Sequence, residues 1–303
     1  MTMTQVRPIG ALTTGIALVL VASLLFATLD SISKQLMVSV AAMQVLWGRY
    51  LAQGAAMTSY LAVSTGTQFL KTRHPYLQIA RGLLQAVGAW LVYISLAHIP
   101  VSDVTAILYA SPVIVTVLSV ILLKERIGPH RIAAVIGGFL GVYLIVLPGS
   151  GETGLFHLLA FAASFCNATY MLLTRRLAGP EESAATQFNT TAIGLVIFTA
   201  VILYDGGLPP VEAVPPILLV GLMGAAAHFL VVKAMSYAPA SMLSPYLYAQ
   251  VMFAALYSVF WFNDALRPSM ILGTTLLIAS GIYIWWRERT APTVSLQTEG
   301  GKA

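Results

Sequence analysis

Charge is scarce in this chain: Asp, Glu, Lys and Arg make up 9% of 303 residues, against about 25% in soluble domains. A surface that poor in charge cannot clothe a globule in water. Cysteine is nearly absent as well. The single Cys166 excludes disulfides and any zinc site built from paired cysteines, so the fold must depend on helix packing alone. No G-x-x-x-x-G-K-[ST] phosphate loop is present, which excludes direct drive by ATP and leaves a gradient or the substrate itself as the source of energy. The five histidines are scattered, and no H-E-x-x-H, G-x-G-D or paired-acid D-x-x-x-D motif occurs, so an intramembrane enzyme is not expected. Nothing calls for a cofactor or a metal. A channel or receptor would need a filter loop or a long exterior segment, and both are lacking.

What abounds is apolar: 58% of residues, spread from Leu12 to Trp286 instead of concentrated in one anchor. At roughly 20 residues per spanning helix, ten helices use about 200 and leave no room for a folded domain outside the bilayer. Apolar runs broken by Gly, Pro or charge predict spans at 12–36, 43–64, 77–98, 102–123, 129–147, 153–177, 184–203, 214–237, 241–262 and 268–286. The first run, from Leu12 to Leu29, follows one basic residue and outlasts a signal core, so it is expected to be retained. The polar stretch 290–303 reads as a disordered tail.

Basic residues in short loops report orientation. With a cytoplasmic N-terminus, twelve of the sixteen fall inside: Arg7, Lys71, Arg73, Arg81, Lys124, Arg126, Arg131, Arg175, Arg176, Arg287, Arg289 and Lys302. Arg267 and Lys34 fall outside, and Arg49 and Lys233 within spans. Both termini are therefore predicted cytoplasmic. The segment from Tyr204 to Pro216 holds Asp205, Glu212, four prolines and no Lys or Arg, as an outer loop should.

Sliding the chain on itself by 139 residues pairs Gly82 with Gly221, Ala86 with Ala225, Pro100 with Pro239, Leu108-Tyr109-Ala110 with Leu247-Tyr248-Ala249, Ser119-Val120 with Ser258-Val259, Glu125 with Asp264 and Pro129 with Pro268. A shift of 141 pairs Ala22-Ser23 with Ala163-Ser164, Ala27-Thr28 with Ala168-Thr169 and Lys34 with Arg175. Matched Pro, Ser and acidic positions are not generic membrane composition, so the chain reads as a tandem duplication. Five spans per copy is an odd number, so the second copy enters the membrane upside down. The expected fold is an all-α polytopic membrane protein of ten transmembrane helices, with inverted five-helix repeats at 1–150 and 151–289.

Ala110-Ser111-Pro112-Val113, the junction Leu122-Leu123-Lys124-Glu125-Arg126 and Gly141-Val142-Tyr143-Leu144 resemble the drug/metabolite transporter superfamily, and within it the ten-helix EamA-type exporters. The second copy shows as Asn263-Asp264-Ala265-Leu266 and Gly281-Ile282-Tyr283. Phe26-Ala27-Thr28-Leu29-Asp30 and Gln44-Val45-Leu46-Trp47-Gly48-Arg49-Tyr50 are also similar to a branch that takes up S-adenosylmethionine and riboflavin. The resemblance implies a secondary or facilitative transporter that moves amino acids, aromatic or otherwise apolar ones, or similar metabolites by alternating access. Export is the direction of the EamA-type exporters, and uptake of a vitamin or nucleoside-like metabolite is the alternative. The implied partners are a small-molecule substrate and the bilayer, with proton coupling left open and no nucleic acid. A monomer or weak homo-oligomer in a bacterial inner membrane is expected.

Helical spacing groups the candidate site residues. The fourth span carries Thr105, Tyr109, Pro112 and Thr116, the sixth Asn167, Tyr170 and Thr174, and the ninth Tyr246, Gln250, Phe253 and Tyr257. Half-polar, half-aromatic faces belong against protein or a wet cavity, because unpaired polar groups are costly in hydrocarbon. The predicted cavity is lined by spans 1, 3, 4, 6, 8 and 9, with Tyr93, Tyr109, Asn167, Tyr170, His228, Tyr246 and Gln250 nearest its centre. Pro112 and Pro245 are expected to kink equivalent helices, either freeing carbonyls for substrate or acting only as shape or hinge. Asp30 and Lys34, one turn apart, and Arg49 at similar depth form a predicted charge cluster, read as an outer gate or as a grip on the carboxylate and ammonium of a substrate. Lys233 is expected to snorkel. Ala133, Gly137 and Gly141 in the fifth span, with Gly273 and Gly281 in the tenth, are expected to pack closely, away from the cavity.

Overall fold

The computed structural model describes residues 9–123, 128–146, 153–177, 180–205 and 207–290. Arg7, Lys302, the Lys124-Glu125-Arg126 junction and the tail beyond Thr290 lie outside the described residues. Within them the helices are α1 (Ile9–Leu36), α2 (Ala42–Thr65), α3 (Pro75–His98), α4 (Val101–Leu108), α5 (Ser111–Leu123), α6 (Pro129–Val146), α7 (Gly154–Leu177), α8 (Ser183–Asp205), α9 (Val214–Tyr237), α10 (Ala240–Leu247), α11 (Ala249–Phe260) and α12 (Pro268–Thr290). Seven segments are long and apolar enough to cross a membrane, one of them running through α4 and α5 from Val101 to Ile121, and Ile132–Val146 is a shorter apolar helix. A helix satisfies its own backbone polar groups, which hydrocarbon requires. Proline starts several of them: α3 at Pro75, α6 at Pro129 and α12 at Pro268, where the missing N–H is one that a first turn leaves unpaired anyway.

Lipid chains are as apolar as leucine, so these helices associate through close packing and hydrogen bonds. The main pairings are α1 on α9 and α7 on α3, α2 on α9 and α8 on α3, α1 on α11 and α7 on α5, α1 on α10 and α7 on α4, with α2 against α8, α6 against α12 and α4 against α11. Small residues make the closest approaches. A methyl group on Gly273 would sit 2.5 Å from the Gly141 carbonyl oxygen, so α6 and α12 touch backbone to backbone. A methyl on Gly221 would meet the Arg49 carbonyl at 2.7 Å where α9 crosses α2.

Glu181, between α7 and α8, clasps the start of α3. It accepts from the Thr72 hydroxyl at 2.9 Å and from the Arg73 and His74 backbone N–H groups at 2.6 Å each. Arg81, counted from the sequence among the inner-side basic residues, is 1% exposed inside α3. Its guanidinium reaches the Thr174 hydroxyl at 3.3 Å, the Thr186 carbonyl and the Thr190 hydroxyl, and it lies 4.9 Å over the Tyr170 ring.

Candidate functional site

A cavity of about 590 Å³ runs through the centre of the bundle. Its wall begins with a break that the sequence places twice. Between Leu108 and Ser111 the chain leaves helical geometry, so the fourth predicted span is two helices, α4 and α5, and the corresponding break at Tyr248 separates α10 from α11. Tyr109 and Tyr248, equivalent in the duplication, meet there with ring centroids 5.0 Å apart and planes tilted by 40°.

The carbonyls freed at the breaks are already engaged. Pro112 cannot donate to the Leu108 carbonyl, and the Ser111 hydroxyl donates to it instead at 2.6 Å. The Tyr109 hydroxyl donates to the Leu247 carbonyl at 2.6 Å and reaches Gln250 Oε1 at 3.2 Å. Pro112 thus opens α5 at its first turn and Pro245 lies within α10, both lining the cavity, and the Leu108 carbonyl that Pro112 frees is taken by Ser111.

The structure brings five of the seven predicted central residues to this wall: Tyr93, Tyr109, Asn167, His228 and Gln250. Tyr170 is not among them, because it lies under Arg81. Tyr246 is also elsewhere, 39% exposed in a separate groove beside Leu12, Met242 and Trp285. One residue of rotation on α10 separates it from Pro245, which does face the cavity. Two helices were not expected there. Arg49 reaches in from α2, and α12 contributes Gly281, Ile282, Ile284 and Trp285. The small-residue contact with α6 is therefore only one face of α12.

The predicted charge cluster is divided. Asp30 and Arg49 both line the cavity and form no direct ion pair among the described contacts. Arg49 donates from Nη1 to the Tyr93 hydroxyl at 3.1 Å, and its Nε is buried without a partner. His228 stands beside them, its ring edge-on to Phe26 at 5.0 Å. Lys34 points away from Asp30. Its ammonium caps the end of α3, donating to the Leu96 carbonyl at 2.8 Å and the Ile99 carbonyl at 2.7 Å. Four-residue spacing put Asp30 and Lys34 on one face of α1, but the long lysine stem carries its charge past that face to a helix end that attracts it. Lys233 is exposed on α9 and lies 6.0 Å over Tyr237.

A second polar group lies past the deep end of the cavity, unnoticed in the sequence. Asp103, 3% exposed in the first turn of α4, accepts from Arg267 Nη2 at 2.5 Å and lies 3.0 Å from His157 Nε2. Arg267 also donates to the Ile145 carbonyl at 3.3 Å, so the group ties α4, α6, α7 and the start of α12 together. Neither Asp103, His157 nor Arg267 lines the cavity, whose other end reaches Ser119, Arg175 and Trp285. A lone acid near the start of an apolar run was the available signal for Asp103.

A small-molecule cavity between helices, with Asp30 and Arg49 in its wall, has the form of a carrier site. The EamA-like transporter family model matches this chain twice, over residues 13–147 and 154–286. The chain belongs to the EamA-like transporter family. This family member is similar to an S-adenosylmethionine uptake transporter of Rickettsia bellii, 25% identical over 86% of this chain and 90% of the relative. It is also similar to riboflavin transporters of Brucella anthropi, at 29% identity over 75% of this chain and 82% of the relative, and of Vibrio cholerae, at 26% over 88% and 90%. A protein of known crystal structure shares the fold with a TM-score of 0.60 at 17% identity, covering 92% of this chain and 99% of that one. The chain is an integral membrane transporter of a small molecule, not an enzyme.

Proposed function

We propose that this transporter takes up a zwitterionic, ring-bearing metabolite by alternating access, as the S-adenosylmethionine relatives' names suggest of their own cargo. One observation carries the reading. Arg49, with its buried unpartnered Nε, and Asp30 face one cavity without neutralising each other directly, among Phe26, Tyr93, Tyr109 and Tyr248. A substrate carboxylate suits the guanidinium and its ammonium suits Asp30, while the rings bury an apolar or aromatic remainder. Riboflavin carries no such pair of charges. Free amino acids do, so amino-acid export is the second reading; the cavity volume, within the roughly 300–1,000 Å³ typical of drug-sized ligands, favours the larger molecule.

The architecture we read behind this is ten spans in two inverted repeats, α2, α6 and the pair α10–α11 completing the seven apolar segments. Its support is the packing pattern: replacing each helix by the one six places along converts most of the larger pairings into one another or into themselves, α4 on α11 being an exception. Both termini are read as cytoplasmic from the positive-inside bias, in a bacterial inner membrane. In that orientation the cavity opens inward and the Asp103 group closes the outer end. The duplication places Met242, Ile16 and Gly128 where Asp103, His157 and Arg267 stand in the other copy, so that ion group is not repeated at those three positions.

Proteoliposomes holding the purified full chain test this with labelled S-adenosylmethionine, riboflavin and phenylalanine, with and without a pH gradient. Saturable uptake of S-adenosylmethionine or phenylalanine, the two compounds with an amino-acid head, that Arg49→Ala abolishes is the expected result. Riboflavin flux with no zwitterion flux refutes the reading, and a pH-gradient requirement decides the question of protons.

A further inference from the structure

We propose that His157 and Asp103 form a proton-binding site, and that closing the outer end of the bundle takes up one proton there. The inference rests on the alternating-access reading above and deepens it, because it names a site through which pH biases one half of the cycle. Hydrogen-bond geometry requires the proton. His157 Nδ1 lies 2.9 Å from the Thr153 carbonyl, which can only accept, so Nδ1 carries a hydrogen. Nε2 lies 3.0 Å from Asp103 Oδ2. A neutral ring would then face the carboxylate lone pair to lone pair, which repels and leaves both groups buried without a partner. The contact therefore needs one proton more than a neutral histidine and a carboxylate hold together, whether it sits on Nε2 or on Oδ2. Both side chains are sealed in, at 2% and 4% exposed.

The groups around the pair are otherwise matched. Arg267, at the start of α12, donates to the same carboxylate oxygen at 2.5 Å. Lys34 on α1 and Asp264 before α12 act electrostatically on each other and on Asp103. From α3 comes His98, whose Nδ1 bonds the Ile94 carbonyl of its own helix at 2.8 Å and whose ring stacks on Phe156. From α11 comes Tyr257, bonded to the Thr28 hydroxyl at 2.8 Å. The α6 helix presents the Ile145 carbonyl, its Tyr143 being exposed, and α5 has no ionisable residue. Within this group, only the contact of His157 with Asp103 joins two helices through a hydrogen bond that an added proton decides.

All three residues of the ion group belong to helices that wall the cavity. Asp103 stands in the first turn of α4, which presents Thr105 and Leu108 to the cavity. His157 stands near the start of α7, which presents Ala163 and Asn167. Arg267 precedes α12, which presents Gly281 and Trp285. One proton thus holds the ends of wall helices together, and losing it frees α7 from α4 at that end. By linkage, a proton that binds the closed state more tightly than the open one makes acid favour closure and alkali favour opening. Met242, Ile16 and Gly128 at the equivalent positions of the duplication do not titrate, so this bias is not mirrored there.

The test reads the outer end directly. Spin labels on Leu155→Cys and Ala265→Cys, at exposed positions beside His157 and Arg267, are placed in the full chain with Cys166→Ala, and their separation is measured in liposomes from about pH 5.5 to 8.5, the range in which histidine titrates. A short separation should dominate in acid, and the ratio of long to short should rise by about tenfold per pH unit through the transition, as one proton requires. His157→Gln keeps a donor for Asp103 that does not titrate, and Asp103→Asn gives a neutral His157 Nε2 a donor of its own, so each should abolish the pH response. His98→Gln should leave it as in the parent. Melting in detergent checks that the variants fold. Separations that do not change with pH in the parent, or a pH response that survives in both His157→Gln and Asp103→Asn, overturn the proton site. Uptake of labelled S-adenosylmethionine and phenylalanine is measured on the same preparations, and uptake of neither overturns the transport reading instead.

Discussion

Arg267 Nη2 lies 2.5 Å from Asp103 Oδ2, across 164 residues of sequence, and His157 Nε2 lies 3.0 Å from the same carboxylate oxygen. The pair joins the start of α12 to the first turn of α4 at the end of the bundle that the cavity does not reach. Alternating access requires contacts made in one state and broken in the other. Asp103→Asn and Arg267→Gln should each slow flux, and their double variant should be less impaired than the sum. Coupling in a double-mutant cycle, read by unfolding in detergent, is expected at about 0.5–3 kcal/mol. Strictly additive effects would remove this pair as a closing contact.

Arg49 and Lys34 should separate in their phenotypes. Arg49→Lys keeps a charge but loses the fork that holds Tyr93 while offering Nε, so substrate affinity should fall about tenfold or more with little change in melting temperature. Lys34→Met should instead lower melting, because the Leu96 and Ile99 carbonyls lose their donor. Equilibrium binding and thermal melting on the same samples decide it, and matching losses of affinity in both variants would restore a single cluster.

Gly281 is a structural support of the cavity. A methyl group there would overlap the Tyr248 hydroxyl. Gly281→Ala should therefore displace the ring and lower stability by about 1–3 kcal/mol, the usual cost of overpacking, along with transport. Removing the hydroxyl in Gly281→Ala/Tyr248→Phe should recover part of both. No recovery would show that the strain lies elsewhere on α12.

The Glu181 clasp gives a pH signature outside the spans. Burial raises its carboxyl pKa, but donation from the Thr72 hydroxyl and the His74 and Arg73 backbone outweighs that and holds it below the ordinary 4.5. A folded-state value below the unfolded one contributes stability that is complete above about pH 4.5 and is lost as pH falls through the lowered value. Melting of the native protein should drop more steeply below that pH than melting of Glu181→Gln. Superimposable profiles would exclude the clasp as a contributor.

Much of the fold was legible because it is local. Apolar run length marks spans and proline marks helix starts, whereas the kinks expected at Pro112 and Pro245 prove to be breaks at Tyr109–Ala110 and Tyr248, a few residues away. Helical periodicity likewise assigned Tyr109, Asn167 and Gln250 to inward faces. What periodicity lacks is the identity of the neighbour. Tyr170 shares its face of α7 with Asn167 by spacing, yet α3 presents Arg81 to it and removes it from the cavity. The predicted span 77–98 already held Arg81, but only the hydroxyls of Thr174 and Thr190 on two other helices explain how its charge is held there.

The sequence by itself determined an all-helical membrane chain and its transporter family, because those depend on hydropathy, spacing and matched motifs along one strand of covalent structure. Tertiary structure alone decided that Asp30 and Arg49 share a cavity while Lys34 caps α3, and that Asp103, His157 and Arg267 meet beside that same end. Long side chains reach several ångströms beyond the face that bears them, and their partners come from helices distant in sequence. Contacts of that kind are set by how the helices pack against one another, which no single helix encodes.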